Sequence, residues 1–143
     1  MVKFLTKNLS SISLPLTTGR DERMRVPSRS GLNWGQRPGR DKNQAYLPVP
    51  AEIQRSGFFP STGIYFNIIC DDDFEMECAR AQQNGKAIHS RDNSTIGVYF
   101  RKRLGLQPRE LVGIHHLQRH GRLWITIYKA TASEYYLDFS KLA

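Results

Sequence analysis

Residues 64–91 alternate between extended and turn-forming chemistry, and that alternation limits the folds open to the chain. Ile64-Tyr65-Phe66-Asn67-Ile68-Ile69-Cys70 is rich in β-branched and aromatic side chains, the composition of a strand. Asp71-Asp72-Asp73 makes a turn, and residues 74–81 return with period-two alternation. That alternation sets Phe74, Met76 and Cys78 on one face and Glu75 and Glu77 on the other. Asn84-Gly85 then matches the two-residue hairpin turn, whose central positions need positive φ, and residues 86–89 leave as the outgoing strand. A sheet built from hairpins is therefore expected at the centre of the molecule.

The flanking sequence extends the same theme. Residues 12–16 alternate apolar and polar side chains and suit an edge strand, where Pro15 is tolerated. Residues 45–50 read as a short strand limited by its prolines, and residues 51–56 as a helical turn closed by Gly57. Ser94 or Asn93 is placed to cap a helix over residues 95–104, closed by Gly105, and a second short helix spans residues 114–120, ending at Gly121. Residues 123–128 and 135–139 are further strands. Short strands at turn-spaced intervals with two small helices indicate a mostly β, barrel-like domain. Residues 1–27 read as a lead-in or linker carrying the edge strand, and residues 28–143 as the domain proper.

Charge narrows the function. The chain has 143 residues, 21 Lys and Arg against 13 Asp and Glu, and a formal net charge of +8. Most of that excess lies in the first 50 residues, whose balance is +6, against +2 for the rest. In the stretch from Ser28 to Gln44, Arg29, Arg37 and Arg40 stand among Asn33, Trp34, Gln36, Asn43 and Gln44, with glycines and a proline that shape a loop. Arg grips guanine O6 and N7 with two donors, and Asn and Gln do the same for adenine. A second set surrounds the hairpin tip: Arg80, Gln82, Gln83, Asn84, Lys86, His89 and Arg91. A two-stranded ribbon fits the major groove of duplex DNA. The plain alternatives are a solvated linker for the first segment and an ordinary exposed hairpin for the second. The Arg101-Lys102-Arg103 cluster is explained by the dipole of its helix C-terminus as readily as by phosphate binding.

Catalytic and metal chemistry find little footing. Asp71-Asp72-Asp73 with Glu75 and Glu77 lacks a nearby lysine on the same strand and reads as an acidic turn. Cys70 and Cys78 are not in a CxxC knuckle, so no zinc site is expected; they read as small buried hydrophobes in a reducing cytoplasm. His-x-Lys does not occur, since His89 is followed by Ser90-Arg91 and His120 by Gly121-Arg122; nor do GxSxG, P-loop or GxGxxG patterns. No cofactor and no catalytic residue is expected. No apolar run approaches the roughly 18 residues of a membrane span.

The order of several short pieces carries a resemblance. Ser30-Gly31-Leu32-Asn33-Trp34-Gly35-Gln36-Arg37, Asn43-Gln44-Ala45-Tyr46-Leu47-Pro48-Val49-Pro50, Gly57-Phe58-Phe59-Pro60, Asn84-Gly85-Lys86, Gly97-Val98-Tyr99-Phe100-Arg101, Arg103-Leu104-Gly105-Leu106, Gly121-Arg122 and Tyr136-Leu137-Asp138-Phe139-Ser140 follow one another through the chain. This order resembles the C-terminal DNA-binding domain of the NgoFVII family of restriction endonucleases. The resemblance implies an open β-barrel of about seven strands with two short helices, the DNA-binding pseudobarrel shared with plant B-three domains. It implies two arms in the major groove, Arg29 to Gln44 and Arg80 to Arg91, and hence sequence-specific recognition of double-stranded DNA. Family enzymes carry a phospholipase-D-like nuclease domain, whose His-x-Lys motif is missing here, so cleavage does not carry over. The expected setting is the cytoplasm of a bacterium. Two other classes stay open: a barrel that binds single strands or RNA by stacking bases on Tyr46, Phe58 or Phe59, and a protein-interaction module for an acidic partner.

Overall fold

The computed structural model describes residues 6–81 and 85–142. Seven strands form one sheet: β1 (Ser10–Pro15), β2 (Leu47–Pro48), β3 (Phe66–Cys70), β4 (Glu75–Ala81), β5 (Ala87–Ser90), β6 (Trp124–Lys129) and β7 (Glu134–Asp138). Their spatial order is β1-β6-β7-β3-β4-β5-β2, and the sheet curls into a nearly closed barrel with one seam. β3 and β7 run parallel; every other neighbouring pair is antiparallel. Three helices accompany them: α1 (Ala51–Ser56), α2 (Thr95–Arg103) and α3 (Ile114–His120). No helix among the described residues is long and apolar enough to cross a membrane. The mostly β, seven-strand architecture agrees with the expected pseudobarrel.

Strand alternation builds the core. Phe66, Ile68 and Cys70 of β3 point inward, as do Met76 and Cys78 of β4, Ile88 of β5, Ile125 and Ile127 of β6, and Tyr135 and Leu137 of β7. Burial pushes the Cys70 thiol up to about 12 and raises that of Cys78 as well, so both stay neutral and packed. Leu14, Leu16 and Val26 also enter this core, and β1 pairs with β6 along its whole length. The chain before residue 28 thus contributes a strand and three buried side chains.

Three local expectations need correction. Phe74 does not join Met76 and Cys78 inside; Asp73 turns through φ 76°, β4 begins only at Glu75, and Phe74 stacks on Tyr99 at 5.0 Å between ring centroids. The hairpin forms, but β4 and β5 pair with Ala81 opposite Ala87. A two-residue turn at Asn84-Gly85 would instead place Ala81 opposite Ile88, so the register is offset by one residue. Asn84 itself lies outside the described residues. At the start of α2 the side chain of Ser94 makes no cap bond; the Asp92 carboxylate accepts the Ser94 N–H.

The acidic turn is a structural clamp. Asp71 is buried and accepts both terminal nitrogens of Arg103, at 3.0 and 2.8 Å, and the Phe139 N–H at 2.7 Å. The last turn of α2 is thereby tied to the ends of β3 and β7. In that last turn of α2, Arg101 is buried at 1% exposure and Lys102 alone of the three cations is exposed.

Candidate nucleic-acid interface

The first arm is a loop stiffened from within. Residues Gly31–Gln36 form two 3-10 turns that meet in a kink at Asn33. Asn33 is fully buried: its amide nitrogen donates to the carbonyls of Pro27 and Val112, both at 2.8 Å, and its oxygen accepts the Val112 N–H at 2.9 Å. The expectation that Asn33 reads bases is therefore corrected, because its donors and acceptor are committed inside the fold. Arg101 lies beside it and donates to the carbonyls of Leu32, Gly97 and Glu110. Burial lowers the Arg101 pKa and Glu110 opposes that; the group is a guanidinium and keeps its charge. Two glycines let the arm close on this network. A Cβ on Gly35 would stand 2.1 Å from the Asp41 carbonyl oxygen, and one on Gly97 only 1.7 Å from that of Asn43.

Gln36 and Asn43 face the loop between α2 and α3. The Gln36 amide donates to the carbonyls of Lys42 and Arg109, and the Asn43 side-chain oxygen accepts the Arg109 N–H. Of the other candidate contacts in the arm, Arg29, Arg37 and Arg40 are exposed, and Trp34 and Gln44 are half-buried. Arg37 is exposed and donates through Nε to the Arg29 carbonyl at 2.8 Å. Arg40 lies 3.8 Å above the Trp34 ring and donates to Gln44 Oε1. Trp34 meets Tyr46 edge-on at 5.5 Å. Arg29 is exposed as well.

The second arm divides. Gln82, Gln83 and Asn84 lie outside the described residues. Arg80 turns back to bind the carbonyls of Pro60 and Gln54, which fixes the segment around α1 to the hairpin, so it is an anchor rather than an outward contact. Arg91 sits 3.8 Å over Tyr65 and pairs with Glu77 at 2.8 Å, away from the hairpin tip. His89 is half-buried, with Nδ1 near the Ser90 carbonyl. Lys86 is exposed.

The two arms share a surface. Trp34 and Arg37 from the first and Lys86 from the second line one concavity of about 360 Å³, completed by Tyr46 and Pro48. A neighbouring hollow of about 240 Å³ is lined by Trp34, Tyr46, Ala81, Ala87, His89 and Asn93. Ala81 and Ala87 are paired across β4 and β5 on the face opposite Cys78 and Ile88, so small side chains pave this floor. Among the described residues no carboxylate lines either hollow. Three acids, Glu75, Glu77 and Asp92, line a separate depression at the other end of β4. Pro48 and Asn93 were not among the expected contacts, and Tyr46 was expected only as a stacking surface for single strands or RNA; the wall they form depends on β2 pairing with β5, which local sequence does not disclose. Phe58 and Phe59 are buried, which removes them as stacking platforms.

A family model described as the NgoFVII C-terminal B3-like DNA-binding domain matches residues 4–131, most of the chain. No curated protein matches it.

Proposed function

The chain belongs to the NgoFVII C-terminal B3-like DNA-binding domain family, and we propose that it is the target-recognition module of a Type II restriction endonuclease, reading double-stranded DNA in the major groove. One observation carries this reading: Arg37 and Lys86, from arms separated in sequence, border one acid-free concavity. A polyanion entering it meets cations from both sides and a floor small enough to admit the edge of a duplex. Arg37, Arg40, Gln44, Lys86 and His89 are the proposed contacts among the described residues, with Arg29 beside Arg37. Gln82, Gln83 and Asn84, from the sequence of the second arm, complete the set. Trp34 holds Arg40 in place and walls the groove. Cleavage falls to a phospholipase-D-like nuclease domain or subunit.

Fluorescence anisotropy with a mixed-sequence duplex, a single strand and an RNA of equal length, at one stated salt concentration, tests the class. Duplex DNA is expected to bind most tightly, and Arg37→Ala and Lys86→Ala to weaken it while the fold is retained. Preference for single strands or RNA, or no binding to any nucleic acid, would overturn the reading. A residue that reads a base should cost about 1–3 kcal/mol on truncation and relax discrimination at one base pair. A phosphate contact should weaken all sequences alike.

A further inference from the structure

The loop between α2 and α3 holds a cation in an unusual backbone state. Arg109 has φ 69°, in the left-handed region where a non-glycine residue is strained. Two side chains of the first arm hold it there. The Arg109 N–H donates to Asn43 Oδ1 at 2.7 Å, and its carbonyl accepts from Gln36 Nε2 at 3.2 Å. Both main-chain groups of Arg109 are thus engaged by the arm, while its guanidinium is exposed.

The nearby acids are committed elsewhere. Glu110 Oε1 accepts the Gln107 N–H at 3.0 Å, and its Oε2 lies 3.6 Å from His116 Nε2. Asp41 Oδ1 accepts the Asn43 N–H at 2.8 Å. Among the described residues no ion pair involves Arg109. Glycine satisfies φ 69° without strain, so the conformation itself gives no reason for an arginine. What the arginine adds is an exposed positive charge at the root of the arm, in no ion pair among the described residues.

We propose that Arg109 is a third DNA contact, a phosphate-binding cation beside the stretch straddled by the two arms. This rests on the duplex-binding reading above. The arm's own amides fix where the charge stands, so ordering of the arm and placement of the cation are a single event. A backbone phosphate is the ligand class, since an exposed guanidinium that lines neither hollow meets the sugar-phosphate rail before any base edge.

The test measures affinity of the whole chain for a mixed-sequence duplex between about 50 and 200 mM salt, with wild type, Arg109→Gly, Arg109→Gln and Arg109→Lys. Arg109→Gly relieves the backbone strain and is expected to unfold at the same denaturant concentration as wild type or higher. Gly and Gln are expected to lower affinity between about 3- and 10-fold, equally for all sequences, and to make the plot of log affinity against log salt shallower by about one, with Lys restoring most of both. A structural role alone would leave that slope unmoved. Unchanged affinity and slope in Arg109→Gly overturns the proposal while the duplex-binding reading stands. Lost discrimination at one base pair, in place of uniform weakening, overturns the phosphate assignment. Failure of wild type to bind the duplex removes the reading on which it rests.

Discussion

Asn33 and Arg37 stand four residues apart in one loop and have opposite surroundings. The amide of Asn33 meets main-chain groups of Pro27 and Val112, and Arg101, whose position in the chain is 68 residues away, approaches the same oxygen. Arg37 is exposed. Sequence chemistry could not separate them, because polarity in a glycine-rich loop says nothing of which side chain the loop folds over. Asn33→Ala strips partners from several buried groups at once and is expected to destabilise the fold by roughly 2–4 kcal/mol, measured by urea unfolding. Arg37→Ala should leave the unfolding midpoint in place. A second residue, His116, ties stability to pH. Its Nδ1 accepts the Gly113 N–H at the start of α3, which only an unprotonated nitrogen can do. Burial lowers its pKa, the neighbouring His115 adds to this, and Glu110 opposes it. A histidine with a depressed folded-state pKa stabilises the fold above its unfolded value near 6.5, and that contribution is lost as pH falls through the folded value. Unfolding midpoints should therefore drop between pH 7.5 and 5.5, and His116→Gln should flatten the drop; an equal drop in both proteins would remove His116 from the account.

At the level of elements, local chemistry was a good guide wherever a period or a turn residue acts alone. The alternation in β3 and β4, the edge strand at β1 and the glycines closing α1 and α3, with φ 77° at Gly57 and 96° at Gly121, follow from single-segment rules. Pairing between segments was harder to read. The β4–β5 register departs by one residue from the turn rule. Arg80, next to the last residue of β4, serves α1 rather than the arm because carbonyls of Pro60 and Gln54 come within its reach in space. The packing of α2 under the first arm shows which influence dominates. Replacing a glycine within a helix by alanine ordinarily gains about 1 kcal/mol in propensity. At Gly97 the new Cβ would overlap the Asn43 carbonyl at 1.7 Å, against main chain that the arm cannot easily move. The overlap should outweigh the gain, and Gly97→Ala is expected to lose about 1–3 kcal/mol of stability. Calorimetry showing a raised melting temperature would mean that the arm yields more readily than its hydrogen bonds imply.

Across the whole molecule the polarity of the surface follows one strand. β4 carries Glu75 and Glu77 at its start and ends at Ala81, on the floor between the arms, so a duplex laid against the sheet is repelled at one end and held at the other. The basic excess of the first 50 residues was legible from composition. Its convergence with the hairpin was implied by the family resemblance and not by local chemistry, because β2 had to pair with β5 before Trp34, Tyr46 and Lys86 could line one wall. Which groove is occupied tests the proposed reading. Methylation of guanine at N7 modifies the major groove, and methylation of adenine at N3 modifies the minor. If both arms border the same stretch of major groove, binding to a selected duplex should be blocked by guanine N7 methylation over one continuous run of base pairs, with adenine N3 methylation inside that run having little effect. Arg37→Ala and Lys86→Ala should each erase a different part of the blocked run, because the two cations enter from separate segments of the chain. A pattern dominated by adenine N3 would place the contacts in the minor groove, and two blocked runs far apart would mean that the arms serve different sites.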